Sequence, residues 1–164
     1  MVGLYKIADL WYSPEKRIKS FGIKPGTTVV DYGCGPGRYL RSLSVQVGAK
    51  GKVLGADIHE LALQYSRKRI RKYRLKNVEL LLVREYRCEI GDREVDYICA
   101  LDMLHLVQNV QRLFKELHRI IKPGGTLILD DGHQKRRITK AQITESDLWN
   151  IFAENKDYLK CHPK

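Results

Sequence analysis

Val29-Val30-Asp31-Tyr32-Gly33-Cys34-Gly35-Pro36-Gly37-Arg38-Tyr39-Leu40 is the stretch whose reading decides the fold of this chain. Thr28, Val29 and Val30 form a β-branched run, an acid follows, glycines recur at every second position, and Tyr39, Leu40 and Leu43 then return at helical spacing. That order predicts a buried strand, a glycine turn and the start of a helix at about Arg38. Glycines allow left-handed backbone angles and remove the Cβ atoms that would hold a ligand away, while the helix behind points free N–H groups into the gap. Such a turn is built to hold something polar, and the acid ahead of it argues that the ligand is more than a phosphate.

Working outward, Ser13 as N-cap, Pro14 at the first helical position, Glu15 in the first turn and Gly22 beyond the end predict a helix over about 13–21. After the glycine turn, Lys52–Asp57 (KVLGAD) is a second short apolar run ending in an acid. The segment from Glu60 to Lys76 interleaves Leu61, Leu63, Tyr65, Ile70 and Tyr73 with Arg67, Lys68, Arg69, Arg71, Lys72 and Arg74, which predicts a helix with one buried stripe and a cationic outer face. VELLLV from Val78 predicts a third strand buried on both sides, and VDYICAL from Val95 a fourth. Val110, Leu113, Phe114, Leu117, Ile120 and Ile121 mark an amphipathic helix ended by Lys122-Pro123-Gly124-Gly125, and Thr126–Leu129 is the fifth strand. In the tail, a helix from about Lys140 to Asp147 and two strands, LWNIFAEN and DYLKCHP, turning at Asn155-Lys156, predict an antiparallel hairpin. Strands alternating with helices imply an α/β parallel sheet covered on both faces, with ligands at the carboxyl ends of the strands.

The 164 residues predict one domain over 1–164, with no linker or repeat. No apolar run reaches membrane-spanning length and the first residues lack a signal-peptide pattern, so the expectation is a cytoplasmic chain without a membrane partner. Cys34, Cys88, Cys99 and Cys161 form no CxxC pair, so neither a metal site nor a disulfide framework is expected. The net charge of +11 raises the prospect of an anionic partner, nucleic acid among them.

The glycine turn separates its rivals. A dinucleotide fingerprint needs a glycine where Arg38 stands, and a Walker loop needs a GK[ST] that is absent. The pattern written is DxGxGxG, with Asp57 ending the second strand. VVDYGCGPG, VLGADI and LHRIIKPGGTLIL together resemble the motifs of the class I S-adenosylmethionine-dependent methyltransferases, in order and at their spacings. The resemblance covers nearly the whole chain and implies a doubly wound, Rossmann-like sheet of order 3-2-1-4-5-7-6 whose last strand is antiparallel. It implies S-adenosylmethionine as cofactor, S-adenosylhomocysteine as product, and no metal. It implies further that Gly33, Cys34, Gly35 and Gly37 form the cofactor loop, and that Asp31 holds the cationic amino group of the methionine part. Asp57 would take both ribose hydroxyls, Ile58 would pack on adenine, and the Leu101 carbonyl would lie near the methionine end.

The chain departs from the family where an acid is expected after the third strand. Arg84 stands there and cannot accept a hydrogen bond, which leaves Glu85, one residue on, or a backbone carbonyl to meet the adenine amino group. Methyl transfer needs alignment and exclusion of water, and a base only if the acceptor must lose a proton. Candidate bases are Asp102 and His105 after the fourth strand, with Asp130, Asp131 and His133 after the fifth; His105 reads more readily as a positioning or packing residue than as the base. ALDM stands where amino-methylating members carry the NPPY tetrad, which speaks against adenine or glutamine N-methylation and leaves carbon or oxygen centres of small molecules, and larger substrates; the first reading is a small-molecule acceptor. The alternatives are an RNA or protein methyltransferase using its basic surface, including Lys135, Arg136 and Arg137, and a non-catalytic partner subunit. The chain has no inserted cap, so the N-terminal helix is a partial lid. Closure falls to the segment around Trp11 and Tyr12 or to a second subunit of a homodimer.

Overall fold

The computed structural model describes residues 13–164; Trp11 and Tyr12 lie outside them. In chain order the elements are α1 (Pro14–Ser20), β1 (Thr28–Tyr32), α2 (Leu40–Val47), β2 (Lys52–Asp57), α3 (Glu60–Tyr73), β3 (Val78–Leu82) and β4 (Val95–Ala100). A short 3-10 turn (Leu104–Leu106) leads to α4 (Val110–Ile120), β5 (Ile121–Leu129), α5 (Arg136–Ser146), β6 (Trp149–Glu154) and β7 (Leu159–Pro163). The seven strands hydrogen-bond in the order β3-β2-β1-β4-β5-β7-β6, the order implied by the resemblance. β1 to β5 pair in parallel, and β7 runs antiparallel to both β5 and β6.

Strand alternation sorts the side chains into two cores. Val30, Ile98, Leu127 and Leu129 pack with Leu113, Phe114, Leu117 and Ile120 of α4 and Ile143 of α5. Val29, Cys99 and Ile128, one position out of phase, pack with Ile18 and Phe21, with Leu40, Leu43 and Val47 of α2 and with Leu63 of α3. All these side chains are fully or almost fully out of water, each worth roughly 1.5–3 kcal/mol of transfer free energy.

Several elements differ from the sequence reading, each for a tertiary reason. α2 begins at Leu40 rather than Arg38, because Gly35 and Gly37 take φ of 53° and 81° and keep the chain turning. β3 is an edge strand, so none of its residues is buried on both sides. β5 includes Lys122-Pro123-Gly124-Gly125: Ile121 pairs with Val95, the register shifts, and pairing resumes at Tyr97 with Thr126. α5 starts earlier, at Arg136, whose guanidinium is held by Asp131 at 2.8 Å. On α3 only Leu63 and Ser66 are buried; Leu61 and Tyr65, assigned to the buried stripe, are 63% and 52% exposed. The four cysteines are free and buried. Among the described residues no helix is long and apolar enough to cross a membrane.

Candidate functional site

At the carboxyl ends of β1, β2 and β4 a cavity of about 810 Å3 opens. The β1 turn forms its floor. Gly33 and Cys34 donate their N–H groups to the Ala56 carbonyl at 2.7 and 3.0 Å, and the Ser66 hydroxyl donates to the Gly35 carbonyl at 2.9 Å. Asp57 closes the turn: its Oδ2 accepts from the Gly35 N–H and its Oδ1 from the His59 N–H, both at 2.8 Å. Each oxygen keeps a second lone pair. A Cβ built on Gly35 meets nothing within 4 Å, so this glycine borders open space, whereas a Cβ on Gly33 would lie 3.1 Å from Met103 Cγ.

Asp31, at the end of β1, is buried, and among the described residues its Oδ2 has no hydrogen-bond partner. Burial, then the charges of Asp57 and Asp102, push its pKa up to about 7, against the pull of Arg17.

The wall beside β4 is set from far along the chain. Arg17 of α1 is buried; its Nη1 donates to the Tyr39 hydroxyl at 2.5 Å and to Asp102 Oδ2 at 3.3 Å, and its Nη2 to Asp130 Oδ2. Tyr39 donates its own proton to Asp102 Oδ2 at 2.8 Å. The Asp130 carboxylate accepts the Asp102 N–H through both oxygens, at 2.9 and 3.1 Å, and so fixes Asp102 at a φ of 56°. On the opposite wall Arg84, Glu85, Tyr86 and Arg87 make a tight turn closed by reciprocal Arg84–Arg87 backbone bonds of 2.8 Å, with Glu85 and Tyr86 both at positive φ. Tyr86 is tied down by the Tyr32 hydroxyl, which donates to its carbonyl at 2.6 Å, and by the Asn109 N–H, which donates to its phenol at 3.0 Å.

Of the residues singled out in the sequence, Gly33, Cys34, Gly35, Asp57, Ile58, Glu85, Leu101 and Asp102 line this cavity. Asp31 stands behind the turn. Two do not line it. Gly37 packs inward, where a Cβ would lie 2.8 Å from Ser66 Oγ. The 3-10 turn aims His105 over Gly132, edge-on to His133 at 4.6 Å, while Leu106 and Val107 take the cavity side. Asp130, Asp131 and His133 also lie off the cavity lining. Arg84 is exposed beside the turn while Glu85 reaches the cavity, with its side chain 89% exposed. Sequence reasoning missed Arg17, Tyr39, Tyr86, Met103 and His59. Only Arg17 left a signal: it precedes buried Ile18 and stands four residues before Phe21, inside the apolar face of α1.

A family model described as a methyltransferase domain matches residues 23–161. The chain belongs to the class I S-adenosylmethionine-dependent methyltransferases. This methyltransferase is 32% identical over 118 residues, 72% of its length, to a demethylmenaquinone methyltransferase of Bacillus cereus, and spans about half (49%) of that relative. It superposes on an S-adenosylmethionine-dependent methyltransferase of Aquifex aeolicus with a TM-score of 0.83 at 29% identity, covering 92% of this chain and 88% of that one. It also shares its fold with phosphoethanolamine N-methyltransferase 2 of Haemonchus contortus, solved with S-adenosyl-L-methionine, at a TM-score of 0.64 and 21% identity, covering 84% of this chain and 33% of that one. The methyltransferase's cofactor is S-adenosylmethionine, and the residues present fit it. An open glycine turn admits a backbone-hugging ligand, and a buried carboxylate oxygen without a partner stands ready for a cation.

Proposed function

We propose that this methyltransferase transfers the methyl group of S-adenosylmethionine to a small acceptor with an apolar body. The observation that carries this reading is the buried Asp31 carboxylate, whose unpartnered oxygen stands behind a glycine turn bordering a cavity. Asp31 holds the cationic amino group, and a buried, desolvated carboxylate gains most from a partner of opposite charge. Gly33, Cys34 and Gly35 let the backbone approach the methionine part. Asp57 offers one free lone pair on each oxygen to the two ribose hydroxyls. Ile58 covers one adenine face, Glu85 stands at the adenine edge, and the Leu101 carbonyl lies toward the methionine end.

The cofactor supplies a methyl group on a positively charged sulfur, so the protein has to aim a nucleophile and keep water out. Met103, Leu106, Val107 and Leu113 give the cavity an apolar wall against which a flat or aliphatic acceptor packs. The Bacillus cereus relative, named for a quinone acceptor, supports a ring of that class. Asp102, which lines the cavity, takes the proton when the acceptor must lose one, and Arg17 and Tyr39 hold it in place. Against an RNA acceptor, Arg136 of the basic cluster after β5 is consumed by Asp131 and Glu154.

The test incubates the purified chain with methyl-labelled cofactor and, separately, a short-chain demethylated naphthoquinone, mixed RNA and a protein extract. Label on the quinone supports the proposal; label on RNA or protein alone overturns the acceptor class. Absence of a cofactor-induced thermal shift at about millimolar cofactor overturns the whole reading in favour of a non-catalytic subunit.

A further inference from the structure

We infer that the outer face of α3, with the rim of the cavity beside it, docks on an anionic phospholipid bilayer. One stripe of exposed side chains runs along the helix: Leu61, Tyr65, Lys68 and Lys72 succeed one another at intervals of four, three and four, on the side away from buried Leu63 and Ser66. The half near the cavity is apolar and the far half cationic. Leu61 is 63% exposed, Ile58 ahead of it 61%, and Leu106 across the cavity mouth 73%. Between Glu60 and Lys76 seven Lys and Arg stand against one acid. That acid is spent on Arg67 at 3.6 Å, so Lys68 and Lys72 face outward without an acidic neighbour on their stripe.

Large aliphatic side chains left in water at the end of a basic helix face form the pattern of an interfacial helix. The cations meet lipid phosphates while the aliphatic groups enter the acyl boundary. Charge complementarity alone would also suit RNA, and Tyr65 has a ring to stack on a base, but Leu61 and Leu106 beside it are aliphatic and solvent-exposed, and an apolar medium rewards removing them from water. The sequence expectation of no membrane partner rested on the absence of a spanning segment and of a signal-peptide pattern, neither of which bears on docking at a surface; the sequence reading separately placed Leu61 and Tyr65 in the buried stripe of the helix. Both side chains are outside it. Because Ile58 and Leu106 also line the cavity, docking sets its mouth at the acyl boundary, where an apolar acceptor enters without crossing water. Only this last consequence rests on the proposed reaction; docking itself needs no turnover.

The experiment is sedimentation of the purified chain with vesicles of phosphatidylglycerol and phosphatidylcholine, against vesicles of phosphatidylcholine alone. Lys68→Glu/Lys72→Glu and Leu61→Ser/Tyr65→Ser serve as variants, each checked for a wild-type unfolding temperature and cofactor-induced thermal shift. The expected result is partition onto the anionic vesicles only. The charge-reversal variant should lose it by roughly a hundredfold or more, at about fivefold per basic residue removed and a similar factor per acid introduced, and the serine variant by about tenfold. Equal partition onto both vesicle types, unchanged partition of either variant, or binding of mixed RNA without binding of vesicles would each overturn the inference. Since vesicle binding is scored without an acceptor, failure here leaves the methyltransferase reading intact, and failure of methyl transfer leaves this one intact.

Discussion

Replacing Asp31 by Asn tests the site at its most costly point. In the folded chain the Asp31 carboxyl has a pKa near 7 against an ordinary value of 3.8, because burial and the charges of Asp57 and Asp102 disfavour its ionised form. The folded value lies above the unfolded one, so the native state binds this proton more tightly. The penalty is nil below the unfolded value, grows as pH rises between the two, and stands in full above about 7. The difference corresponds to about 4 kcal/mol at about pH 8 and about 2 kcal/mol at about pH 5, as upper bounds for a neutral replacement of the same shape. For a chain of this size that is a rise of order 10 °C in melting temperature at the higher pH. Thermal unfolding of both proteins at the two pH values, with and without S-adenosylmethionine, is the assay. Asp31→Asn should melt higher than wild type without cofactor, more so at about pH 8, and should lose the cofactor-induced shift. In wild type that shift should weaken as the pH falls below about 7. A variant that melts lower at about pH 8, or keeps the full cofactor shift, refutes the reasoning that this carboxylate is an uncompensated charge kept for a cationic ligand.

Gly35→Ala should weaken cofactor binding at least about tenfold while costing only about 1 kcal/mol of stability, since its Cβ meets no protein atom at a φ of 53°. Gly37→Ala, whose Cβ would meet Ser66 Oγ at 2.8 Å, should instead cost about 2 kcal/mol in urea unfolding. His105→Ala should leave kcat within about threefold of wild type, whereas Asp102→Asn should lower it roughly a hundredfold on an acceptor that must shed a proton; equal effects of the two would reverse the assignment. Arg17→Met strands Asp130 as a buried unpaired carboxylate and should destabilise the fold by about 3–5 kcal/mol in denaturant titration.

The sequence by itself determined what depends on local period and spacing. The β-branched run Thr28-Val29-Val30 with the acid after it, the glycines that follow and the acid ending KVLGAD fix strand, turn and second strand, and the amphipathic pattern of 110–120 fixes α4. The strand order followed from the resemblance of the motifs to the family; period and spacing alone predict a parallel sheet covered by helices with a terminal antiparallel hairpin. The tertiary structure alone decided which side chains meet at the carboxyl edge. Arg17 reaches Asp102 and Asp130 across 85 and 113 residues of chain, a contact that no local pattern encodes. His105 and Leu106 are adjacent in sequence, yet one tight turn sends the histidine over Gly132 and the leucine to the cavity. On α3 the sequence reading put Leu61, Leu63 and Tyr65 in one buried stripe, whereas the helix sets Leu63 on one side and Leu61 and Tyr65 on the other. Only the seating of the helix on β2 and β3 selected which side leaves water.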